Sequence, residues 1–155
     1  MKSFKLQIKP TDGGFTLIEL LIVIAIIGLL ASVVLVGLGG FRARGRDARR
    51  IADLRETQNA LELFYTRNNT YPAVSGSESW ASIRTSLTGA GIGVATISND
   101  PLSPSRTYEY GVSTDQQNYV LKATLEDSNN SALTDDVDGA INGLDCDDPA
   151  YCVQF

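Results

Sequence analysis

Gly13-Gly14-Phe15-Thr16-Leu17-Ile18-Glu19-Leu20-Leu21-Ile22-Val23-Ile24-Ala25-Ile26-Ile27-Gly28 decides how the rest of the 155-residue chain is read. It opens an apolar run, Leu20 to Leu38, whose one polar side chain is Ser32. As a helix at about 1.5 Å per residue the run covers roughly 28 Å, the depth of a bilayer core. Lys2, Lys5 and Lys9 precede it, an outline shared with secretory signals and simple signal anchors. Two features resist that outline. The small pair Gly13-Gly14 stands before the run and no A-x-A-like site follows it, so a cut at the pair leaves the run in the mature chain. Glu19 then stands one step inside the apolar segment. A carboxylate at membrane depth costs about 2.5–3.5 kcal/mol on insertion scales and ordinarily has a partner and a function. No cation lies nearby in the sequence, but a cut between Gly14 and Phe15 would create an α-ammonium four residues from Glu19, on every copy of the chain.

Gly14 to Gly28 resembles the prepilin leader junction of type IV pilins and type II secretion pseudopilins. The resemblance implies that a cytoplasmic, membrane-embedded prepilin peptidase cuts after Gly14 and that the new Phe15 amine is methylated. It also implies that Glu19 guides docking of one subunit on the next. Residues 1–14 are then a leader peptide, 15–40 the transmembrane and assembly helix, 41–68 the outer half of the same helix, and 69–155 a globular domain. The partners implied are further copies of the chain in a helical filament, the peptidase, an assembly platform, and the inner membrane before assembly. The filament is then extracellular or periplasmic. A positive-inside count, with six Arg after the run and three Lys before it, would instead hold the globular part in the cytoplasm. The cytoplasmic position of the peptidase overrules that count.

Downstream, Arg46 to Thr66 predicts a helix with Ile51, Leu54, Leu61 and Tyr65 on one stripe and Gln58 inside it. Asn68-Asn69-Thr70-Tyr71-Pro72 predicts its end, and Asn69-Thr70-Tyr71-Pro72 resembles the segment after the helix in major pseudopilins. Phe15 to Thr66 as one rod would be roughly 78 Å long. Gly37, Gly39 and Gly40 weaken the rod by about 1 kcal/mol each relative to Ala, and the family resemblance implies melting there in a filament. Trp80, Ile83 and Leu87 mark a short helix, while Gly89 to Gly93 is plain loop. Thr107–Val112 and Tyr119–Leu125 alternate as two strands of a hairpin, with a third strand from Cys152 to Phe155. The fold class is therefore α+β, a long amino-terminal helix packed on a small antiparallel sheet, which is also the pilin-like plan.

Charge is laid out unevenly. Arg42, Arg44, Arg46, Arg49 and Arg50 form a basic collar, suited to lipid headgroups and solvent, to acidic surface on adjacent subunits, or to DNA, against which the lack of interleaved aromatics for stacking counts. From Asn68 onward three basic residues face twelve acidic ones, a formal -9 that argues against a nucleic-acid domain there. Glu126 to Asp148 holds eight carboxylates and no basic side chain, which predicts a segment frayed by repulsion. A twelve-residue loop counted from Thr134 places Asp136, Asp138, Asn142 and Asp145 at calcium-ligand spacing, with Gly139 at the sharp turn. Thr134 replaces the usual first Asp and Asp145 the usual last Glu; Asp135, Asp147 and Asp148 could supply the missing ligands, and a solvated acidic loop is the competing reading. Calcium there would be structural, and major pseudopilins bind it in a carboxyl-terminal loop.

Cys146 and Cys152 would close a seven-residue ring worth about 2 kcal/mol as a disulfide. Two cysteines in an exported chain suit such a bridge, and type IV pilins often close a carboxyl-terminal loop this way. Histidine is absent, which removes the commonest general base and transition-metal ligand. Together with the lack of C-x-x-C spacing, this argues against zinc, redox chemistry and enzymes in general. A solitary membrane-anchored binding module is the alternative to a filament subunit. Asn68-Asn69-Thr70 and Asn129-Asn130-Ser131 match the glycosylation tripeptide.

Overall fold

The computed structural model describes residues 14–73 and 79–155, with the side chains of 33–38 outside that description. The leader residues 1–13, including Lys2, Lys5 and Lys9, lie outside it as well. Helix α1 is assigned over Leu17–Asn68, through Gly37, Gly39 and Gly40. The described residues fall into two compact units, one ending at Gly39 and one comprising Gly40–Phe155. Among the described residues no helix is long and apolar enough to cross a membrane. The expected span Leu20 to Leu38 runs through residues 33–38 and so is not covered by that statement.

In the second unit, α1 ends where Asn69 turns to φ 57° and its N–H bonds back to the Tyr65 carbonyl. This left-handed exit is one that Asn tolerates. Leu54 and Leu61 of the predicted stripe are fully buried, with Ile51 and Tyr65 at its margins. Helix α2, Ser79–Gly89, buries Trp80, Ile83 and Leu87 against the same core, as their spacing predicts. Strands β1 (Glu109–Val112), β2 (Tyr119–Thr124) and β5 (Ala150–Gln154) form an antiparallel sheet in the order β1-β2-β5. Tyr110 stands opposite Leu121, and Lys122 opposite Cys152.

The sheet differs from the expectation of one buried face. Tyr119, Val120 and Leu121 are consecutive and all buried, so both faces are covered. Tyr119 and Leu121 join the helix core. Val120 packs with Cys146 and Cys152 and against Val137, Ile141 and Leu144. That second cover is the acidic segment itself. Within that segment a 3-10 turn (Ser131–Thr134) packs Leu133 into the helix core, and the cover itself comes from Val137 and the two-stranded hairpin of β3 (Ala140–Ile141) and β4 (Leu144–Asp145). The hairpin turns on Asn142 and Gly143, both at positive φ, the conformation an Asn-Gly pair provides most readily.

Four of the buried tyrosines, Tyr71, Tyr108, Tyr110 and Tyr119, bring hydroxyls into the core, and each of these finds an acceptor. Tyr71 and Tyr119 donate to Glu62 Oε1 at 3.0 and 3.1 Å, Tyr108 to Asp53 Oδ2 at 2.8 Å, and Tyr110 to the Pro72 carbonyl at 3.0 Å. These contacts tie helix, sheet and the post-helix segment together, and make the tyrosines packing groups.

Candidate functional site

At the amino-terminal end Gly14 has open space around it and Phe15 is 90% exposed. Helix α1 begins one residue after Thr16, which puts Thr16 at the N-cap and Glu19 at the third helical position. Thr16 N–H and Oγ1 both donate to Glu19 Oε2, at 2.8 and 2.7 Å. Glu19 N–H in turn donates to Thr16 Oγ1 at 3.3 Å. This is a reciprocal capping box, which satisfies two otherwise orphaned helix donors. Glu19 therefore has a local partner that the reading of an unpaired carboxylate overlooked. Its signal stands in the sequence as Thr16-Leu17-Ile18-Glu19, the T-x-x-E pattern. Around it Leu17, Ile18, Leu20 and Leu21 are all exposed, so the helix end offers an apolar surface with one carboxylate held at a fixed place.

The basic collar is largely spent inside the chain. Arg50 is fully buried, and its guanidinium serves three carboxylates. Nε and Nη2 fork onto Asp100 at 2.6 and 3.1 Å, while Nη1 reaches Asp47 and Glu126, each at 2.7 Å. Arg46 Nε donates to Glu126 at 2.7 Å and Arg44 meets Asp127 at 3.3 Å. Arg49 approaches Asp53 at 3.7 Å. Arg42 and Arg55 are exposed and have no ion-pair partner among the described residues. Asp47 also accepts the backbone N–H groups of Glu126 and Asp127, at 3.0 Å each.

Charges at this junction are mutually held. Burial works against the Arg50 cation, but its hydrogen bonds to Asp100, Glu126 and Asp47 outweigh that and raise its pKa. Burial pushes Asp100 up, yet Arg50 and the Leu102 N–H more than reverse it, leaving its pKa lowered. The hydrogen bond from Arg46, helped by Arg50, lowers Glu126 to about 2. The acidic partners expected on neighbouring subunits are thus supplied, for four of the five collar arginines, by the same chain.

In the carboxyl-terminal segment repulsion is relieved by backbone donors, which is why it is ordered rather than frayed. Asp145 Oδ1 accepts from Asp147 N–H at 3.1 Å, and Asp147 Oδ1 from Gly139 N–H at 3.2 Å. Asp136 Oδ2 accepts from Cys152 N–H at 2.8 Å. Its other oxygen, Oδ1, is buried and makes no hydrogen bond. Asp136 is brought together with Asp138 and Asp148, one carboxylate oxygen from each lying within 4.8 Å of the others. Burial first, then the charges of Asp138 and Asp148, raise the pKa of Asp136. Of the four residues that the loop count selects, Asp136 and Asp138 fall in this group. Asn142 sits at the hairpin turn and Asp145 in β4, where its carboxylate holds a turn; neither joins them. Asp148, outside the spacing pattern, does.

Asp148 is positioned by the disulfide ring, since Cys146 and Cys152 are bonded with Cα atoms 5.8 Å apart. Both half-cystines are buried on the second sheet face. Three carboxylates at this separation, one of which also has an oxygen buried without a donor, suit a hard cation such as calcium, which prefers carboxylate and carbonyl ligands.

Residues 9–35 match the family described as Prokaryotic N-terminal methylation motif. Over 64 residues the chain is 38% identical to type II secretion system core protein G of Aeromonas hydrophila, covering 41% of this chain and 45% of that one. It is 35% identical over 65 residues to the type IV major pilin protein PilA of Myxococcus xanthus, covering 42% and 30%. With the type IV wide pilus major component PilA4 of Thermus thermophilus the identity is 47% over 58 residues, covering 37% and 44%. The chain thus spans less than half the length of these relatives. No solved structure matches it significantly.

Proposed function

We propose that this chain, whose amino-terminal segment is that of the pilin and pseudopilin family, is the precursor of a subunit of a type IV pilus or type II secretion-like filament. Members of that family are structural subunits, not enzymes. A prepilin peptidase cuts between Gly14 and Phe15, and the Phe15 amine is methylated. Residues 15–40 hold the subunit in the inner membrane with the globular unit outside the cytoplasm, and an assembly platform then polymerises it through the same helix.

The observation that carries this reading is the methylation-motif match over residues 9–35, centred on an exposed junction with a pre-set carboxylate. The capping box fixes Glu19 Oε2 on Thr16, and Oε1, which makes no hydrogen bond among the described residues, is the oxygen offered to the α-ammonium of an adjacent subunit. Peptidase processing supplies that ammonium, so cleavage and docking are two halves of one electrostatic contact in a medium that screens little.

Mass spectrometry of the amino terminus from sheared filaments tests the processing, with a methylated Phe15 expected; an intact Met1 would end it. The docking role of Glu19 is separated from capping by two variants. Glu19→Gln retains the box, which Gln can close, but lacks charge. Glu19→Ala lacks both. Cleaved but unpolymerised subunits are expected from both, whereas normal filaments from Glu19→Gln would reduce Glu19 to a cap.

A second reading concerns the carboxyl-terminal segment. The orphaned Asp136 Oδ1 beside Asp138 and Asp148 favours a structural calcium held by those three carboxylates. The ion would supply the positive charge that the second cover of the sheet lacks, and so lock the disulfide ring onto the Asp136–Val137 edge. Isothermal titration with calcium, compared with magnesium, tests it; absence of heat and of any stability change would refute it.

A further inference from the structure

Two Asn-x-Ser/Thr tripeptides occur in the chain, and the structure treats them differently. Transfer of a glycan to asparagine needs an exposed carboxamide, a backbone that is not locked in a helix or sheet, and a free hydroxyl two residues on. Asn68 is the last residue of α1, and its Nδ2 donates to the Phe64 carbonyl at 2.9 Å. The next carbonyl, that of Asn69, accepts from Gln117 Nε2 at 3.2 Å, and Tyr71 N–H bonds to Gln116. That tripeptide is stitched to the helix on one side and to the β1–β2 turn on the other.

Asn129 is the opposite case. It lies in the turn between β2 and the 3-10 helix, exposed, and its side chain makes no hydrogen bond among the described residues. Ser131, two residues on, is exposed, and its hydroxyl is likewise free among the described residues. The turn is shaped from its flanks. Asn129 and Asn130 N–H groups bond to Asp127, at Oδ1 and the carbonyl respectively, each at 3.1 Å. Asn130 Oδ1 accepts from Ala132 N–H at 3.0 Å. Asp127 is anchored to α1 through Asp47 and Arg44, and Leu133 is buried beyond. The turn is therefore pinned at both ends, with Asn129 and Ser131 left outward.

We propose that Asn129 is a site of N-linked glycosylation, its substrate a glycan carried on a membrane polyprenyl diphosphate. The Asn129 carboxamide nitrogen attacks the anomeric carbon and the N–C bond forms. The bond from that carbon to the diphosphate oxygen breaks, its electron pair leaves with the diphosphate, and the amide proton passes to a base of the transferase. A polar glycan on this turn removes no core contact. The inference rests on the proposed export of the globular unit, because the transferase acts on the outer side of the membrane.

The test is expression of the full chain in a bacterium carrying an oligosaccharyltransferase and a lipid-diphosphate glycan of known mass, read by intact-mass and glycopeptide analysis. One glycan per chain is expected on the wild type and on Asn68→Gln, with occupancy falling to background in Asn129→Gln and Ser131→Ala. An unmodified wild type, or modification at Asn68, overturns the proposal. Alkylation under non-reducing conditions reads Cys146 and Cys152 in the same sample. A bridged but unglycosylated chain rejects the site while leaving export intact, and a reduced chain rejects export and the site together.

Discussion

Replacing Arg50 by Met removes a guanidinium that is 0% exposed and serves Asp47, Asp100 and Glu126 at once. The damage is uneven. Asp47 keeps the N–H groups of Glu126 and Asp127, and Glu126 keeps Arg46. Asp100, itself 5% exposed, is left with only the Leu102 N–H, at 2.7 Å. Breaking a buried ion pair by removing one partner costs about 3–5 kcal/mol, most of it the stranded charge. Against a whole-domain stability of about 5–15 kcal/mol, the variant stands near the edge of folding. With a urea slope of about 1–3 kcal/mol per molar, the midpoint falls by about 1–5 M. Trp80 is the chain's one tryptophan, buried and edge-on to Tyr108 at 4.9 Å, so its fluorescence reports unfolding of this unit in detergent solution. Arg50→Met/Asp100→Leu should recover at least half of the loss, because the stranded carboxylate is gone. Arg42→Ala, at an exposed site, should change the stability by less than about 0.5 kcal/mol. If Arg50→Met shifted the midpoint no more than Arg42→Ala, the junction would not hold the unit together.

Acid should unfold the chain through the same junction. Glu126 is lowered from 4.5 to about 2, chiefly by Arg46, so the stability it contributes is fully present above pH 4.5 and lost as pH falls through 2. Asp100, lowered as well, adds with the same sign. A pH series of thermal midpoints should show this acid limb flattened in Glu126→Gln. Asp136 has the opposite sign: its pKa is raised above 3.8, so its charged form opposes folding at neutral pH. Asp136→Asn should therefore raise the calcium-free midpoint. It should also abolish the calcium-induced stabilisation of the wild type, about 2.7 kcal/mol at a hundredfold excess over Kd. Gly111→Ala would place a Cβ 2.6 Å from the Asn142 carbonyl oxygen. The hairpin cannot yield there without moving its backbone, so a loss of about 1–3 kcal/mol is expected in chemical denaturation.

What could be read in the sequence was what repeats locally. The stripe of Leu54 and Leu61, the trio Trp80, Ile83 and Leu87, and the alternation through Tyr110 and Leu121 each need a window of only a few residues. The two-sided burial of β2 was hidden because its second cover comes from residues 137–152, across a stretch whose acidity suggested fraying. Two local signals in that stretch and at the helix start carried more than composition did. Asn142-Gly143 marks a hairpin turn, and Thr16-x-x-Glu19 marks a helix cap. The calcium spacing selected two residues of the carboxylate group, Asp136 and Asp138. Asp148 lies outside that spacing and was legible only as one of three spare carboxylates, because a disulfide rather than a linear loop brings it into place. The arginine collar was visible as charge and not as structure, since its partners Glu126 and Asp127 lie about eighty residues away.

Those partners show how one kind of side chain is resolved in three ways on a single acidic chain. Where a carboxylate faces α1 it meets arginine, as Asp100 and Glu126 do, and burial becomes tolerable. Where it faces a turn it takes backbone N–H groups, as Asp145 and Asp147 do, and becomes part of the turn. Asp136 does the second with one oxygen only. Its remaining oxygen is buried beside two further carboxylates, which raises the cost of keeping it charged. Hydrogen bonds and arginines settle Asp47, Asp100, Glu126, Asp145 and Asp147 without outside help, so an external positive charge has most to gain at Asp136, Asp138 and Asp148. A proton can fill that place only as pH falls, whereas a divalent cation can fill it at neutral pH. Calcium affinity at this group should consequently weaken as pH falls through the raised pKa of Asp136, since proton and metal compete for the same oxygen. A calorimetric titration series between pH 7 and pH 4 that showed constant affinity would disconnect the metal from Asp136.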